Sequence, residues 1–306
     1  MIPVLDWQQA KSDPDAFAAE LGQAARGAGF FLVKNHDIPA ELIAQLWAQL
    51  DAFFALPISA KEPLSLLKSG NNRGWSALGD ENLDDTTDDM DQKEAFNIGL
   101  DLPADHPRMT NGEPFRGANI WPDLPEFRSV TLAYFDAVLD LGRRLHSAIA
   151  RDLGLKPDYF DESFTAPLAT LRLLHYPPAR ADGPKIGAGA HTDYGSITLL
   201  LTDGEPGLQV TPRGGEWIDV PQIPGALVVN IADCLMRWTN DIYVSTPHRV
   251  LAPKATRRSV AFFLDPNPEA VIAALPGTGE AKYPPVTGAD YLRQRLEATY
   301  SAMGAA

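Results

Sequence analysis

Hydrophobic and polar positions follow two different rhythms along this chain, and the change falls between residues 153 and 170. Before it, helical spacing dominates. In "DPDAFAAELGQAARGAGF" Phe17, Leu21 and Ala24 or Ala25 recur on one face, Asp13 can cap the start and Pro14 suits the first turn. Gly27 and Gly29 then end the helix. "PAELIAQLWAQLDAFFAL" predicts a second amphipathic helix. A third, from Leu124 to Leu153, carries Leu132, Phe135, Leu139, Leu145 and Ile149 among its apolar positions. Two short strands, "IPVLDW" and "FFLVKNH", lie among these helices. Residues 67–118 are rich in loop formers and include the acidic run "DENLDDTTDDMD", whose composition predicts a solvated loop.

After the change the apolar segments are short and broken by Gly, Pro and Asp. They are "ATLRLLHYP", "SITLLLTD", "LQVTP", "EWIDVP", "ALVVNIAD", "HRVLAP" and "RSVAFFLDP". Seven strands at this spacing predict an antiparallel sandwich or barrel. "GADYLRQRLEATY" closes the chain as a helix. With no internal repeat and no clear linker, the expectation is one domain over 1–306 of α+β class. Residues 1–120 form an N-terminal helical and strand part, and 165–270 a mainly β core flanked by helices.

The charge balance narrows the function classes. Forty acidic against 26 basic residues leave a formal charge of −14, which repels nucleic acid. Cys234 is the single cysteine, so no intrachain disulfide forms, and the expected role of Cys234 is a buried apolar one. The N-terminus does not read as a secretory signal, and no run of about 18 apolar residues suggests a membrane span. A cytoplasmic location is expected.

One polar pair interrupts the apolar strands. In "GAHTDYGSITLL", His191 and Asp193 stand two apart, and on a strand they would project from one face with Thr192 on the other. His248, at the start of the segment "HRVLAP", offers a third ligand. His36, His106 and His146 have no partner at strand spacing and read as structural or exposed. Two histidines and one carboxylate on one face of a metal leave the other face open, as in non-haem iron(II) oxygenases. The same ligand types suit catalytic zinc. In "CLMRW" the reading is a short helix capped by Asp233, with Trp238 in the core.

His-x-Asp, then 54 residues, then "HRV", with Arg257-x-Ser259 nine residues after His248, resembles the iron(II)/2-oxoglutarate-dependent oxygenases, in the branch similar to isopenicillin N synthase. "GFFLVKNHDIP", "NNRGWSALGDEN", "QKEAFNIG", "NIWPD", "LRLLHYPP" and "GEWIDVPQIPGALVVNIAD" extend the likeness across most of the chain, in the family's order. The resemblance implies a double-stranded β-helix, or jelly roll. It implies iron(II) on His191, Asp193 and His248, with 2-oxoglutarate as co-substrate and O2 as oxidant. A small molecule would be hydroxylated or otherwise oxidised, with release of succinate and CO2.

Arg257 would grip the distal carboxylate of 2-oxoglutarate with a planar fork, and Ser259, two residues on, would share its face. Arg258 would point away. Tyr176 matches the family tyrosine that reaches the co-substrate, whereas Leu174 stands where several members carry asparagine. The likeness makes Arg73 a contact for a substrate carboxylate, against the plainer reading of a solvated loop arginine. Phe263 shares parity with Arg257 and Ser259 and is expected to line the pocket or the core. Asn72 and Phe96 are weaker candidates of the same kind. Isopenicillin N synthase itself uses no 2-oxoglutarate and ligates its resting iron with a glutamine near the C-terminus. Here Ala305 takes that place and cannot ligate, which favours the 2-oxoglutarate-using type. An oxidase like isopenicillin N synthase, an ethylene-forming enzyme, a zinc hydrolase and a non-catalytic metal- or ligand-sensing module are the alternatives.

Overall fold

The computed structural model describes residues 1–84, 90–179, 183–212 and 215–303. Ala305 lies outside the described residues. The chain begins with β1 (Val4–Asp6), α1 (Trp7–Ser12), α2 (Pro14–Gly27), β2 (Phe30–Lys34), α3 (Ala40–Phe54) and α4 (Ile58–Lys61). Next come β3 (Gly74–Ser76), β4 (Glu94–Gly99), α5 (Pro107–Thr110) and α6 (Phe127–Asp152). The strand-rich part runs β5 (Thr170–Tyr176), β6 (Ile186–His191), β7 (Ile197–Thr202), β8 (Leu208–Val210), β9 (Ile218–Asp219) and β10 (Leu227–Ile231). It continues through α7 (Asp233–Trp238), β11 (His248–Leu251), β12 (Arg257–Leu264), β13 (Val271–Ile272), β14 (Val286–Thr287) and α8 (Gly288–Met303).

Local chemistry sets the helices. The Asp13 carboxylate accepts from the Ala16 amide, so α2 starts where Asp13 and Pro14 predict. Phe17, Leu21, Ala24 and Ala25 are buried, as are Leu46, Leu50 and Phe53 of α3. Both helices pack on α6. Gly142 lets α6 sit close on the sheet, because a Cβ there would lie 2.7 Å from the Leu264 side chain. The long helix begins later than expected, at Phe127, because Glu126 takes a left-handed backbone (φ 63°).

Among the described residues the strands form an eight-stranded sheet, ordered β1-β2-β10-β7-β12-β5-β4-β3, a four-stranded sheet, ordered β6-β11-β8-β9, and a small separate pair of β13 with β14. Apart from the parallel pair of β1 and β2, these ladders are antiparallel, and together they build a jelly roll. Alternation along β12 shows how the layers arise. Val260, Phe262 and Leu264 enter the core shared with the helices, while Ala261 and Phe263 face a second cluster with residues of the smaller sheet. Each fully buried Leu or Phe here contributes about 1.5–3 kcal/mol. Strands β1 to β4 lie in the same large sheet as β5, β7, β10 and β12, so the N-terminal part is built into the core sheet. Among the described residues no single helix is long and apolar enough to cross a membrane.

Candidate active site

The three expected ligands come from two neighbouring strands and the segment that follows one of them. Strand β11 opens at His248, which pairs directly across the ladder with His191, the last residue of β6. Asp193 does not share that strand, contrary to the expectation from spacing. It lies in the turn before β7, and the turn rather than strand alternation brings it back. The outcome is the same convergence. His191 Nε2 and His248 Nε2 lie 3.8 and 3.7 Å from Asp193 Oδ1, and all three ligand atoms fall within 4.8 Å of one another. Metal–nitrogen and metal–oxygen bonds of about 2.0–2.2 Å let such atoms share one ion.

Hydrogen bonds aim each ligand. His191 Nδ1 lies 2.7 Å from the Gly189 carbonyl and His248 Nδ1 3.3 Å from the Thr246 carbonyl, so both rings turn Nε2 inward. Asp193 Oδ2 accepts from the Thr198 hydroxyl at 2.6 Å and from the Asn230 amide at 2.8 Å. Its Oδ1 is thereby left toward the histidines. Burial and the neighbouring His248 push the His191 pKa down to about 4, so the ring is neutral and able to ligate at pH 7. Burial opposes ionisation of Asp193, but the two histidines, Thr198 and Asn230 outweigh it and hold the carboxyl below its usual range. Thr192 points elsewhere and donates to Asp233 at 3.0 Å. Asp233 is not the cap of α7, where Ala232 stands; it accepts from Thr192 and pairs with Arg295 at 2.8 Å. Trp238 and Cys234 are buried in the core.

On the large sheet, β12 opens with Arg257. Its side chain is fully buried, its guanidinium carbon lies 4.9 Å from the centre of the Tyr176 ring, and Nη1 lies 3.3 Å from the Ser259 hydroxyl. Tyr176 is its partner across the ladder to β5. Nε and Nη2 have no hydrogen-bond partner, and among the described residues no carboxylate pairs with this cation. A buried guanidinium with free donors is costly until an anion fills the gap. Arg258 points the other way, onto Asp51, Asp203 and the Trp47 ring.

Comparison with known proteins decides what this arrangement is. Residues 167–266 match the 2OG-Fe(II) oxygenase superfamily, and residues 2–124 match the family described as non-haem dioxygenase in morphine synthesis N-terminal. A 2-oxoglutarate-Fe(II) type oxidoreductase of Emericella nidulans is 37% identical over 97% of this chain and 90% of its own length. The chain belongs to the 2-oxoglutarate- and iron(II)-dependent oxygenases. Clavatol oxidase of Penicillium crustosum is 35% identical, over 98% of this chain and 97% of its own. Among solved structures, a full-length Neurospora crassa protein in complex with alpha-KG and thymine superposes with a TM-score of 0.86 at 33% identity, covering 98% and 97% of the two chains. A 2OG-Fe(II) oxygenase family protein from Caulobacter crescentus gives 0.87 at 32%, covering 97% and 98%.

The protein is therefore a dioxygenase that uses iron(II), 2-oxoglutarate and O2, and the donor set fits these groups. Two imidazoles and a carboxylate with one free oxygen suit a divalent ion, and the two free donor nitrogens of Arg257 suit a dicarboxylate. The substrate candidates of this oxygenase have different fates. Phe263 is half-buried on the inner face of β12, opposite Thr198, which holds Asp193. Arg73 is 7% exposed, which excludes a solvated loop arginine. It follows the left-handed Asn72, and its guanidinium occupies the space over Gly99, where a Cβ would lie 1.9 Å from Nη2. Phe96 points into the helical core against Phe53 and Phe127 and is not a pocket residue. Asn97, one position on, carries the opposite parity, and its amide meets Asn72 Oδ1 at 3.3 Å.

Sequence reasoning missed Thr198 and Asn230. Asn230 had left a trace, as a lone amide in the buried strand "LVVNI". The acidic run also departs from expectation. Glu81 bonds Arg172 and Lys93, and Asp91 is 1% exposed, so its described ends are structural charges rather than a solvated loop.

Proposed function

We propose that His191 Nε2, Asp193 Oδ1 and His248 Nε2 hold the iron, and that Arg257, Ser259 and Tyr176 hold the distal carboxylate of 2-oxoglutarate. The primary substrate is a small molecule with an anionic group, met by Arg73, with Phe263 lining the same space. The observation that carries the co-substrate assignment is the fully buried Arg257 with two unpartnered nitrogens. Arg73 repeats the pattern. Its Nε has no partner among the described residues, and burial together with the nearby Arg116 charge lowers its pKa to about 10. The fungal protein crystallised with thymine, and with 5-formyluracil in another structure, supports a small-molecule substrate.

Bound iron would activate O2, the oxidant, which takes two electrons from 2-oxoglutarate as it loses CO2 to become succinate and two from the substrate. The chain's own residues orient the partners. Gly189, Thr246, Thr198 and Asn230 fix the ligands, Arg257 selects a diacid, and Arg73 sets the substrate's approach. The shared sheet supports one domain over 1–306, and the single buried cysteine supports a cytoplasmic setting.

Anaerobic titration with iron(II) and 2-oxoglutarate tests the metal assignment. Wild type should develop the visible charge-transfer band of the chelate, and Asp193→Ala should not; a normal band in Asp193→Ala removes the ligand set. For the substrate, succinate release is screened over small carboxylic acids and their amides. Arg73→Gln should raise KM for an accepted acid by about 10- to 150-fold, the loss of about 1.5–3 kcal/mol for a charged hydrogen bond. An equal KM refutes the contact.

A further inference from the structure

Strand β6 carries a metal ligand at its end, yet it is an edge strand, paired among the described residues only with β11. Its register to β11 is irregular, with shifts between His248 and Leu251. An edge strand leaves one row of backbone groups unpaired and free to slip or fray. Here the segment before β4 supplies the missing partners. The Gln92 amide donates to the Gly187 carbonyl at 3.0 Å, and the Gly189 amide donates to Asp91 Oδ1 at 2.8 Å. Approach this close requires glycine, since a Cβ on Gly189 would lie 2.7 Å from the Asp84 backbone nitrogen.

Gly189 is thus held at both of its backbone polar groups. Its amide is bound by Asp91, and its carbonyl faces His191 Nδ1 at 2.7 Å. Asp91 is nearly inaccessible, and a buried carboxylate is costly unless paired. Lys93 pairs with it and also reaches Glu81 at 3.2 Å. Glu81 in turn takes both oxygens to Arg172 Nη2 at 2.6 Å. Two acids and two bases therefore balance inside the protein, at the edge of the strand that ends in His191. An apolar contact could have covered the same edge. A carboxylate instead gives a directed bond to one amide, two residues before the ligand.

We propose that Asp91 is a positioning residue for the metal centre: by fixing the Gly189 peptide it sets the ring of His191. The inference rests on reading His191 as an iron ligand. The test compares Asp91→Asn, Asp91→Ala and Lys93→Met with wild type, by anaerobic iron(II) affinity and by the energy of the charge-transfer band with 2-oxoglutarate. Thermal unfolding of each variant is recorded alongside. Asp91→Ala should weaken iron(II) binding by about 10- to 100-fold and shift the band. Asp91→Asn keeps an acceptor for the Gly189 amide and should fall between it and wild type. Lys93→Met breaks the charge pair and should lower the unfolding temperature, yet keep the wild-type band. If Asp91→Ala does not fold, Asp91→Asn carries the test. Wild-type affinity and band in either folded Asp91 variant overturn the proposal, as does a Lys93→Met band shifted as far as that of Asp91→Ala. A wild-type protein without any band instead rejects the iron reading itself.

Discussion

Replacing Arg257 with methionine removes a fully buried cation that has no acidic partner among the described residues, and keeps most of its volume. The two consequences have opposite signs. Nε and Nη2 are the free donors, so two charge-assisted hydrogen bonds to a carboxylate are at stake. At about 1.5–3 kcal/mol each they sum to about 3–6 kcal/mol, or about 10²- to 10⁴-fold in the Kd for 2-oxoglutarate. Without co-substrate the same guanidinium is a cost, relieved in part by the Tyr176 ring at 4.9 Å and the Ser259 hydroxyl at 3.3 Å. Substituting a buried, uncompensated charge with an apolar side chain of similar volume is neutral or stabilising. The unfolding temperature of ligand-free Arg257→Met should therefore equal or exceed that of wild type. The assays are anaerobic titration of the chelate band and thermal unfolding without ligand. Arg258→Ala is the control: its pairs with Asp51 and Asp203 lie on a partly exposed side chain, worth less than about 1 kcal/mol, and 2-oxoglutarate affinity should not move. Affinity within fivefold of wild type in Arg257→Met, or a collapse in Arg258→Ala, would refute the reasoning.

Two further predictions concern a partner of Asp193 and a buried histidine of α6. Asn230→Leu leaves Asp193 Oδ2 held by Thr198 alone; iron(II) affinity should fall by about tenfold or more, read by competition with a coloured chelator, and an unchanged affinity removes Asn230 from the site. His146 is buried, with Nε2 2.7 Å from the Ser196 hydroxyl and Nδ1 2.8 Å from the Gly142 carbonyl, and burial lowers its pKa to about 4 from an unfolded value of 6.5. A lowered folded pKa means that its contribution is complete above pH 6.5 and is lost as pH falls toward 4, up to about 3 kcal/mol. Denaturant unfolding between pH 7 and 4 should show His146→Gln with a flatter profile than wild type; parallel profiles contradict the assignment.

The parts of the site legible beforehand are those that local rules dictate. Arg257 and Ser259 lie on the inner face of β12 and Arg258 on the outer because a strand alternates, and that holds wherever the strand packs. The capped start of α2 is equally local. Asp193 shows the limit: two-residue spacing implied one strand face, but β6 ends at His191 and a turn brings the carboxylate round. The acidic run shows it more sharply. Composition made it a solvated loop, yet Glu81 meets Arg172, 91 residues away, and Asp91 meets Gly189, 98 away.

By itself the sequence determined the two rhythms, the mainly β core and the order His191, Asp193, His248, Arg257 and Ser259, because periodicity and spacing are properties of the chain. Tertiary structure decided which charges lose water. Arg73 and Arg257 become buried cations with nitrogens unpartnered among the described residues, while Arg172, Lys93, Glu81 and Asp91 become a balanced cluster beside β6. Burial depends on what packs over a side chain from distant segments, and no local pattern of residues encodes it.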